Sequence, residues 1–333
     1  MVREIRTLWN QANYGINVLK SDWYHLLFRL QDLFVRESMQ FYCDQNLSYI
    51  PLPVTTGAVS SPMGLGSDSL PVQVILGGTP VYLADSMQFL LEYATRMADR
   101  GAFYLMPSFR GEPTDQRHLS QFFHSEAEIK GGLEDVLTMV ELYITHLSQC
   151  ILNHLADDVK FYAGTIEHIE YCAAGSNIPR ISWIDAVSLL KKVPGTLDML
   201  SEGILSINQN GERYLMNQFG GFVWVTHFDQ RIVPFYQANC GGYALNADLL
   251  MGIGETVGAG ERHTTSHEVL NALHEHNVTM SSYDWYVQMK SEFPLRTSGF
   301  GMGMERFLLW VLKHNDIRDC QIVSRIDGSQ MMP

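Results

Sequence analysis

Three stretches of this 333-residue chain gather side chains that handle anions and hard cations. The first is Ser108-Phe109-Arg110-Gly111-Glu112, followed by Arg117-His118-Leu119-Ser120-Gln121-Phe122 and by Glu126-Ala127-Glu128. The second sets Asp248 ahead of Glu255, within a run that continues to Gly260-Glu261-Arg262. The third is Gly299-Phe300-Gly301-Met302-Gly303-Met304-Glu305-Arg306, leading into an apolar helical pattern. A guanidinium offers a planar fork to an oxyanion. Mg²⁺ favours a few carboxylates, and glycines let backbone approach a ligand where a Cβ would clash. Singly, each stretch also has a plainer reading. The G-x-G-x-G run reads as a flexible turn, the Arg-x-Glu as a surface ion pair of little energetic worth. Asp248 and Glu255 read as solvated, and Phe122 and Phe123 as core. Their occurrence together, in this order, points to a site.

The elements that must position these groups can be read from periodicity. Leu26, Leu27, Leu30, Leu33, Phe34 and Phe41 recur at helical spacing, predicting an amphipathic helix over Trp23–Cys43. Pro51 and Pro53 forbid further helix and force extended backbone. Gly57 to Gly78 reads as a long Gly/Ser/Pro loop between short strands, and such loops are often functional. Met87–Asp99 reads as helix, Ala102–Met106 as a buried strand, and Leu133–Leu155 as a second long helix. Gly221–Thr226 and Arg231–Tyr236 read as neighbouring β segments, with another over Tyr243–Leu250. A helix is expected over His267–His276, then a Gly-rich turn, a helix over Met304–Lys313, and a short strand near Gln321–Val323. Strands and helices do not alternate as βαβ units, so the fold class is α+β with an antiparallel sheet flanked by helices, in one domain.

Composition bounds the rest. The chain is 46% apolar and 18% charged, an ordinary packed composition long enough to bury a large core. The net charge of −13 argues against a protein whose main business is gripping nucleic acid phosphates. The five cysteines show no C-x-x-C spacing, so neither a zinc knuckle nor a redox dithiol is suggested. No signal peptide and no membrane span is read, and a reducing cytoplasm fits.

Taken together, the motifs resemble the catalytic domain of a class II aminoacyl-tRNA synthetase, in the asparaginyl/aspartyl branch. Arg110 with Glu112 matches that class's second signature motif, and Gly299 to Arg306 matches the third. The helix Trp23–Cys43 and the turn into Pro53 resemble the first, which in the family builds a homodimer interface. Tyr82–Gln88, Tyr283–Tyr286 and Ile178–Ile181 are supporting matches, and the resemblance runs from about residue 23 to 326.

The resemblance implies roles residue by residue. Arg110 and Arg306 would be the catalytic pair, clamping the α-phosphate and the γ-phosphate of a bent ATP. Glu112, Arg117, His118, Gly301 and Gly303 would join them in binding the nucleotide, with Phe122 stacked beneath adenine and Arg306 over its other face. Asp248 and Glu255 would bind Mg²⁺, and Glu255 would also touch ATP. Ser86 and Gln88 match positions that contact the substrate α-amino group, and Arg262 matches the arginine facing the substrate side-chain carbonyl or carboxylate. Leu91 stands where aspartate enzymes carry a lysine, and Glu126 where asparagine enzymes keep a glutamate that accepts from the amide. A cation missing and an anion present favour an amide over a carboxylate side chain.

The chain also departs from the pattern. It starts almost directly on the dimer helix, so the anticodon-reading β-barrel of the family is expected to be absent. Gln121, Asp85, Gly258 and Leu295-Arg296-Thr297 replace residues usual in the family. The implied function is therefore an AMP-forming ligase that activates asparagine, or a close relative, for an acceptor not selected by an anticodon. An asparagine synthetase using aspartate and ammonia, a tRNA ligase working through the acceptor stem alone, and a non-catalytic regulatory paralogue are the alternatives. The last is disfavoured by the joint presence of Arg110, Glu112, Asp248, Glu255 and Arg306. No DNA or membrane partner is expected, and tRNA is the partner least supported, since the basic footprint is missing.

Overall fold

The computed structural model describes residues 7–326 apart from 12, 62–64, 66–69 and 176. Its centre is an eight-stranded sheet: β1 (Ser48–Tyr49), β2 (Gly101–Phe109), β3 (Gln121–Lys130), β4 (Arg180–Ser182), β5 (Phe222–Thr226), β6 (Asn246–Met251), β7 (Gly254–Glu261) and β8 (Thr297–Gly303). The spatial order is β1-β2-β3-β8-β7-β6-β5-β4. The inner pairings are antiparallel, and the two edge pairings, β1 with β2 and β4 with β5, are parallel. The α+β expectation holds, with parallel edges added.

Alternation along the strands divides the sheet into two faces. Phe103, Ala127, Phe300, Ala259 and Ala247 form one cross-strand row, all buried against helices α1 (Asp22–Asp44), α3 (Leu133–Ala163) and α7 (Met304–Leu312). The next row, Tyr104, Glu126, Gly301, Gly258 and Asp248, faces the other way. A one-residue slip would exchange these sets, putting carboxylates into the core, so burial of the first row holds the second in place. On that second side lie α2 (Gln88–Thr95), α4 (Gln209–Gln218), α5 (Ser266–Glu275) and α6 (Asp284–Glu292).

The predicted helices form where the apolar periodicity placed them. In α1, Leu26, Leu27, Leu30, Leu33, Phe34 and Phe41 are all buried. α3 starts at Gly132, whose N–H donates to the Asp135 carboxylate at 2.8 Å. It continues past the expected end because Val159 and Tyr162 extend the buried stripe, and it stops at Gly164 with φ +78°.

Five expectations are corrected. The Gly299–Gly303 run is a central strand, not a turn; glycines here keep one sheet face open while Phe300 and Met302 fill the other. Arg231–Tyr236 is not a β segment: Asp229 caps a 3₁₀ turn at Gln230–Ile232, accepting the Arg231 N–H at 3.0 Å, and Pro234 has no N–H to give a ladder. No strand forms at Gln321–Val323, where the Tyr14 hydroxyl donates to the carbonyls of Gln321 and Ile322 at 3.0 and 2.7 Å. Within Gly57–Gly78, Val72–Leu76 pairs with Thr79–Leu83 as a hairpin through Gly77-Gly78, whose φ of +56° and +82° suit a tight turn; residues 62–64 and 66–69 of that stretch lie outside those described. The helix expected over Met87–Asp99 is shortened to α2, Gln88–Thr95.

Candidate functional site

The cleft floor is built from glycines. Gly258 faces Gly301, and Gly260 faces Gly299, across β7 and β8. A Cβ on Gly299 would lie 1.9 Å from Glu128 Oε2, and one on Gly260 2.0 Å from Gln237 Oε1. These positions admit glycine alone because buried polar side chains cross directly over them.

A β-bulge aims the acidic pair. Asp248 opposes Gly258 and Leu249 opposes Val257, but Leu250 opposes Glu255, so Thr256 is the extra residue. Without it Thr256 would face the cleft; with it Glu255 does. A Cβ on Gly258 would sit 3.0 Å from Glu255 Oε1 and 3.8 Å from Asp248 Oδ1, so both carboxylates lean over this one glycine. Burial pushes the Asp248 carboxyl well up, and the charges of Glu255 and Glu212 push it further. Mutually repelling, hard-oxygen donors converging on one open point fit a divalent cation such as Mg²⁺.

Every residue assigned to ATP lines one cavity over this floor. Arg110, Glu112, Arg117, His118 and Phe122 come from the β2–β3 hairpin, Glu255 from β7, Gly301 and Gly303 from β8, and Arg306 from the first turn of α7. Arg306 Nη1 donates to the Glu255 carbonyl. Burial draws the Arg306 pKa down; Arg110 and Arg117 add to this, against Glu255 and Glu212. Arg110 stands 5.6 Å over the Phe122 ring, and its Nε is buried without a partner. Phe122 thus carries Arg110 on its face and His124 edge-on at 4.8 Å. Arg306 reaches the Glu255 backbone, not Phe122, so the expected adenine sandwich between Phe122 and Arg306 is not preformed. His118 is held in a turn on Asp115, which accepts its backbone N–H at 2.8 Å.

A second cavity continues from the first, sharing Arg110, His124, Glu255 and Gly301. It holds Ser86, Gln88, Glu126, Arg262 and Asp248, so all the sequence-assigned residues lie in one continuous cleft. Here the charged groups already have partners. Glu126 accepts from Ser86 Oγ at 3.0 Å and from the Met87 N–H at 3.1 Å, and lies 3.0 Å from His124 Nδ1. Burial would raise its pKa, but His124, Tyr104 and the Met87 N–H hold it below the usual range. Arg262 donates to Glu128 through Nε and Nη2 and to Gln237 Oε1 at 3.1 Å, and lies over the Tyr236 ring. Its guanidinium has further N–H groups for a substrate carbonyl, but its charge is balanced by Glu128. Burial, with the neighbouring Glu92 charge, pushes Glu128 up to about 7 against the pull of Arg262. Gln88 donates to Glu92, while its Oε1 is buried with no partner, an acceptor open to an ammonium. Leu91 also lines this cavity.

Sequence reasoning gave no role to four contributors. Glu212, from α4, takes Arg117 Nη2 at 2.6 Å; it lies on an element the sequence reading did not place. His124 joins the two halves of the cleft, and its position two residues before Glu126 on a strand signals a shared face. Glu128 follows by the same alternation. Gln237 gave no signal.

Fold and cleft together resemble those of a class II synthetase, and comparison with known proteins shows that family. Residues 11–326 match the family described as tRNA synthetases class II (D, K and N), and the chain belongs to that family. Among relatives, the asparagine–tRNA ligase of Koribacter versatilis is 28% identical over 303 residues, 88% of this chain and 66% of the relative. That of Thermoplasma acidophilum is 25% identical over 321 residues, 94% of this chain and 70% of the relative. The chain thus spans roughly two thirds of their length. The structure of asparaginyl-tRNA synthetase from Pyrococcus horikoshii complexed with asparaginyl-adenylate superposes with a TM-score of 0.86 at 21% identity, covering 96% of this chain and 72% of that one. No helix among the described residues is long and apolar enough to cross a membrane.

Proposed function

We propose that this chain is an ATP-dependent, AMP-forming ligase that activates asparagine as its adenylate. The observation that carries the reading is the convergence of Arg110, Arg117 and Arg306 with Glu255 over the glycine floor, with Asp248 alongside in the cavity that continues from it. In the reaction the asparagine α-carboxylate attacks the α-phosphorus; one O–P bond forms as the bond to pyrophosphate breaks. No general base is required, since the nucleophile is already ionised. Arg110, with a free buried Nε, would meet charge developing on the α-phosphate oxygens, and Arg306 would hold the far end of the triphosphate. Mg²⁺ between Asp248 and Glu255 would neutralise phosphate oxygens. Gln88 Oε1 would accept from the substrate ammonium.

Asparagine is favoured over aspartate by charge balance. Arg262 is compensated by Glu128, and Leu91 adds no cation, so a carboxylate side chain would enter beside Glu126 and Glu128 without a free counter-charge. The Koribacter and Thermoplasma relatives carry the name asparagine–tRNA ligase, and tRNA is accordingly the first acceptor to test. A homodimer through residues 23–53 is part of the proposal; exposed Phe28, Val35 and Tyr49 on that segment support it.

The test is amino-acid-dependent exchange of labelled pyrophosphate into ATP. Exchange with asparagine is expected; exchange with aspartate alone overturns the specificity, and none with any amino acid overturns the activity. Release of free asparagine from aspartate and ammonia would instead establish a synthetase. With asparagine exchange in hand, transfer to tRNA is read by aminoacylation.

A further inference from the structure

On the far side of the sheet from the cleft, three side chains of different chemistry meet between α1 and α3. Glu37 comes from α1, and His146 and Cys150 from α3, one turn apart and therefore on one helix face. His146 Nε2 lies 3.3 Å from Glu37 Oε2, Cys150 Sγ lies 3.3 Å from the same oxygen, and Cys150 Sγ is 3.8 Å from His146 Nε2. Among the described residues this is the one group of His, Cys, Asp and Glu whose ligand atoms all approach so closely.

We propose that Glu37, His146 and Cys150 form a zinc site that staples α1 to α3. Zn–S near 2.3 Å, with Zn–N and Zn–O of about 2.0–2.2 Å at tetrahedral angles, places neighbouring ligand atoms about 3.3–3.7 Å apart. The three observed separations already span that range to within small torsional adjustment. The donor set of thiolate, imidazole and carboxylate suits Zn²⁺, whereas Mg²⁺ seeks oxygen alone. Glu37 and His146 keep 24% and 27% of their side chains exposed, so water can reach the fourth position. The helices that present them are packed against each other. Phe41 stacks on Tyr143 at 5.0 Å and lies 5.6 Å from the His146 ring, and Ser38 is hydrogen-bonded to the Tyr143 hydroxyl. Without metal, the thiol donates to Glu37 and the cluster is a hydrogen-bonded triad; binding expels the thiol proton to solvent.

The experiment is a Co²⁺ titration of the chelator-stripped full chain with Mg²⁺ in excess, so that oxygen sites are occupied. A thiolate-to-cobalt charge-transfer band saturating at one equivalent and displaced by Zn²⁺ is expected. Cys150→Ser should abolish the band while leaving pyrophosphate exchange unchanged. His146→Gln should weaken cobalt binding at least about tenfold, the least that loss of even an outer support of a metal ligand costs. No band in the wild-type protein, or a band that persists in Cys150→Ser, overturns the site and leaves a hydrogen-bonded triad only.

Discussion

The two halves of the cleft treat charge in opposite ways. In the nucleotide half Arg110, Arg117 and Arg306 crowd together, with Arg117 paired to Glu212, and where the two cavities meet Asp248, Glu255 and Glu212 repel one another. In the amino-acid half, Arg262 is paired with Glu128, and Glu126 accepts from Ser86 and the Met87 N–H and lies 3.0 Å from His124. The difference teaches that, under the proposed function, one half would suit a charged ligand, while the other, its charged groups already partnered, would select by shape and hydrogen bonds. Clustering like charge without a ligand costs stability, the familiar trade at sites built for electrostatic stabilisation.

That contrast can be broken most sharply at the arginines. Arg306→Ala, or Arg110→Ala, is expected to lower the exchange rate by about 10²–10³-fold or more with the circular dichroism spectrum unchanged. Retained exchange would remove the nucleotide half from the mechanism. Arg262→Ala should act on folding as well as on activity. It strands Glu128 in the core, and a loss of about 3–5 kcal/mol in denaturant unfolding is expected. Arg262→Ala combined with Glu128→Ala should be milder than the single change, because no unpaired charge remains.

Asp248→Asn separates the two kinds of charge further. A carboxyl whose folded pKa is raised contributes stability that is fully present below its unfolded value and lost as pH rises through the folded one. Asp248 is raised well above 3.8, and Glu128 is raised from 4.5 to about 7, so the stability these two carboxyls contribute to the metal-free protein should fall from about pH 4 upward, that of Glu128 through about pH 7. Asp248→Asn should flatten the Asp248 share of that slope, raise the neutral-pH melting temperature without metal, and abolish stabilisation by Mg²⁺ with ATP. An unchanged slope would show that Asp248 is not strained by its neighbours.

The smallest effect is expected at Glu126. Glu126→Gln is expected to relax the preference for asparagine over aspartate by about tenfold while leaving ATP binding intact. Because Ser86, Met87 and His124 all engage Glu126, the change should appear mainly in the asparagine KM. An unaltered preference would take Glu126 out of specificity.

Much of this site was legible in the chain because its chemistry is concentrated in short runs. Arg110-Gly111-Glu112 and Gly299–Arg306 each place several functional groups within one element, and period-2 alternation then assigns a face to each. The glycine run shows the limit. A turn and a strand both accept glycine, and only pairing of Gly299 and Gly301 with Glu128 and Glu126 decides for the strand. Arg231–Tyr236 failed for the opposite reason: its residues have β propensity, but Asp229 and Pro234 divert the backbone from a ladder.

By itself the sequence pointed to the charged side chains that the fold gathers into one cleft, to where the long helices run, and to an α+β fold, since these follow from residue type and local periodicity. Tertiary structure alone decided how the charges pair. The bulge at Thr256 turns Glu255 toward Asp248, α4 delivers Glu212 to Arg117, and β7 ends so that Arg262 meets Glu128. The physical reason is range: propensity acts over a few residues, whereas a buried charge is governed by whatever the fold brings within a few ångströms of it, however distant along the chain.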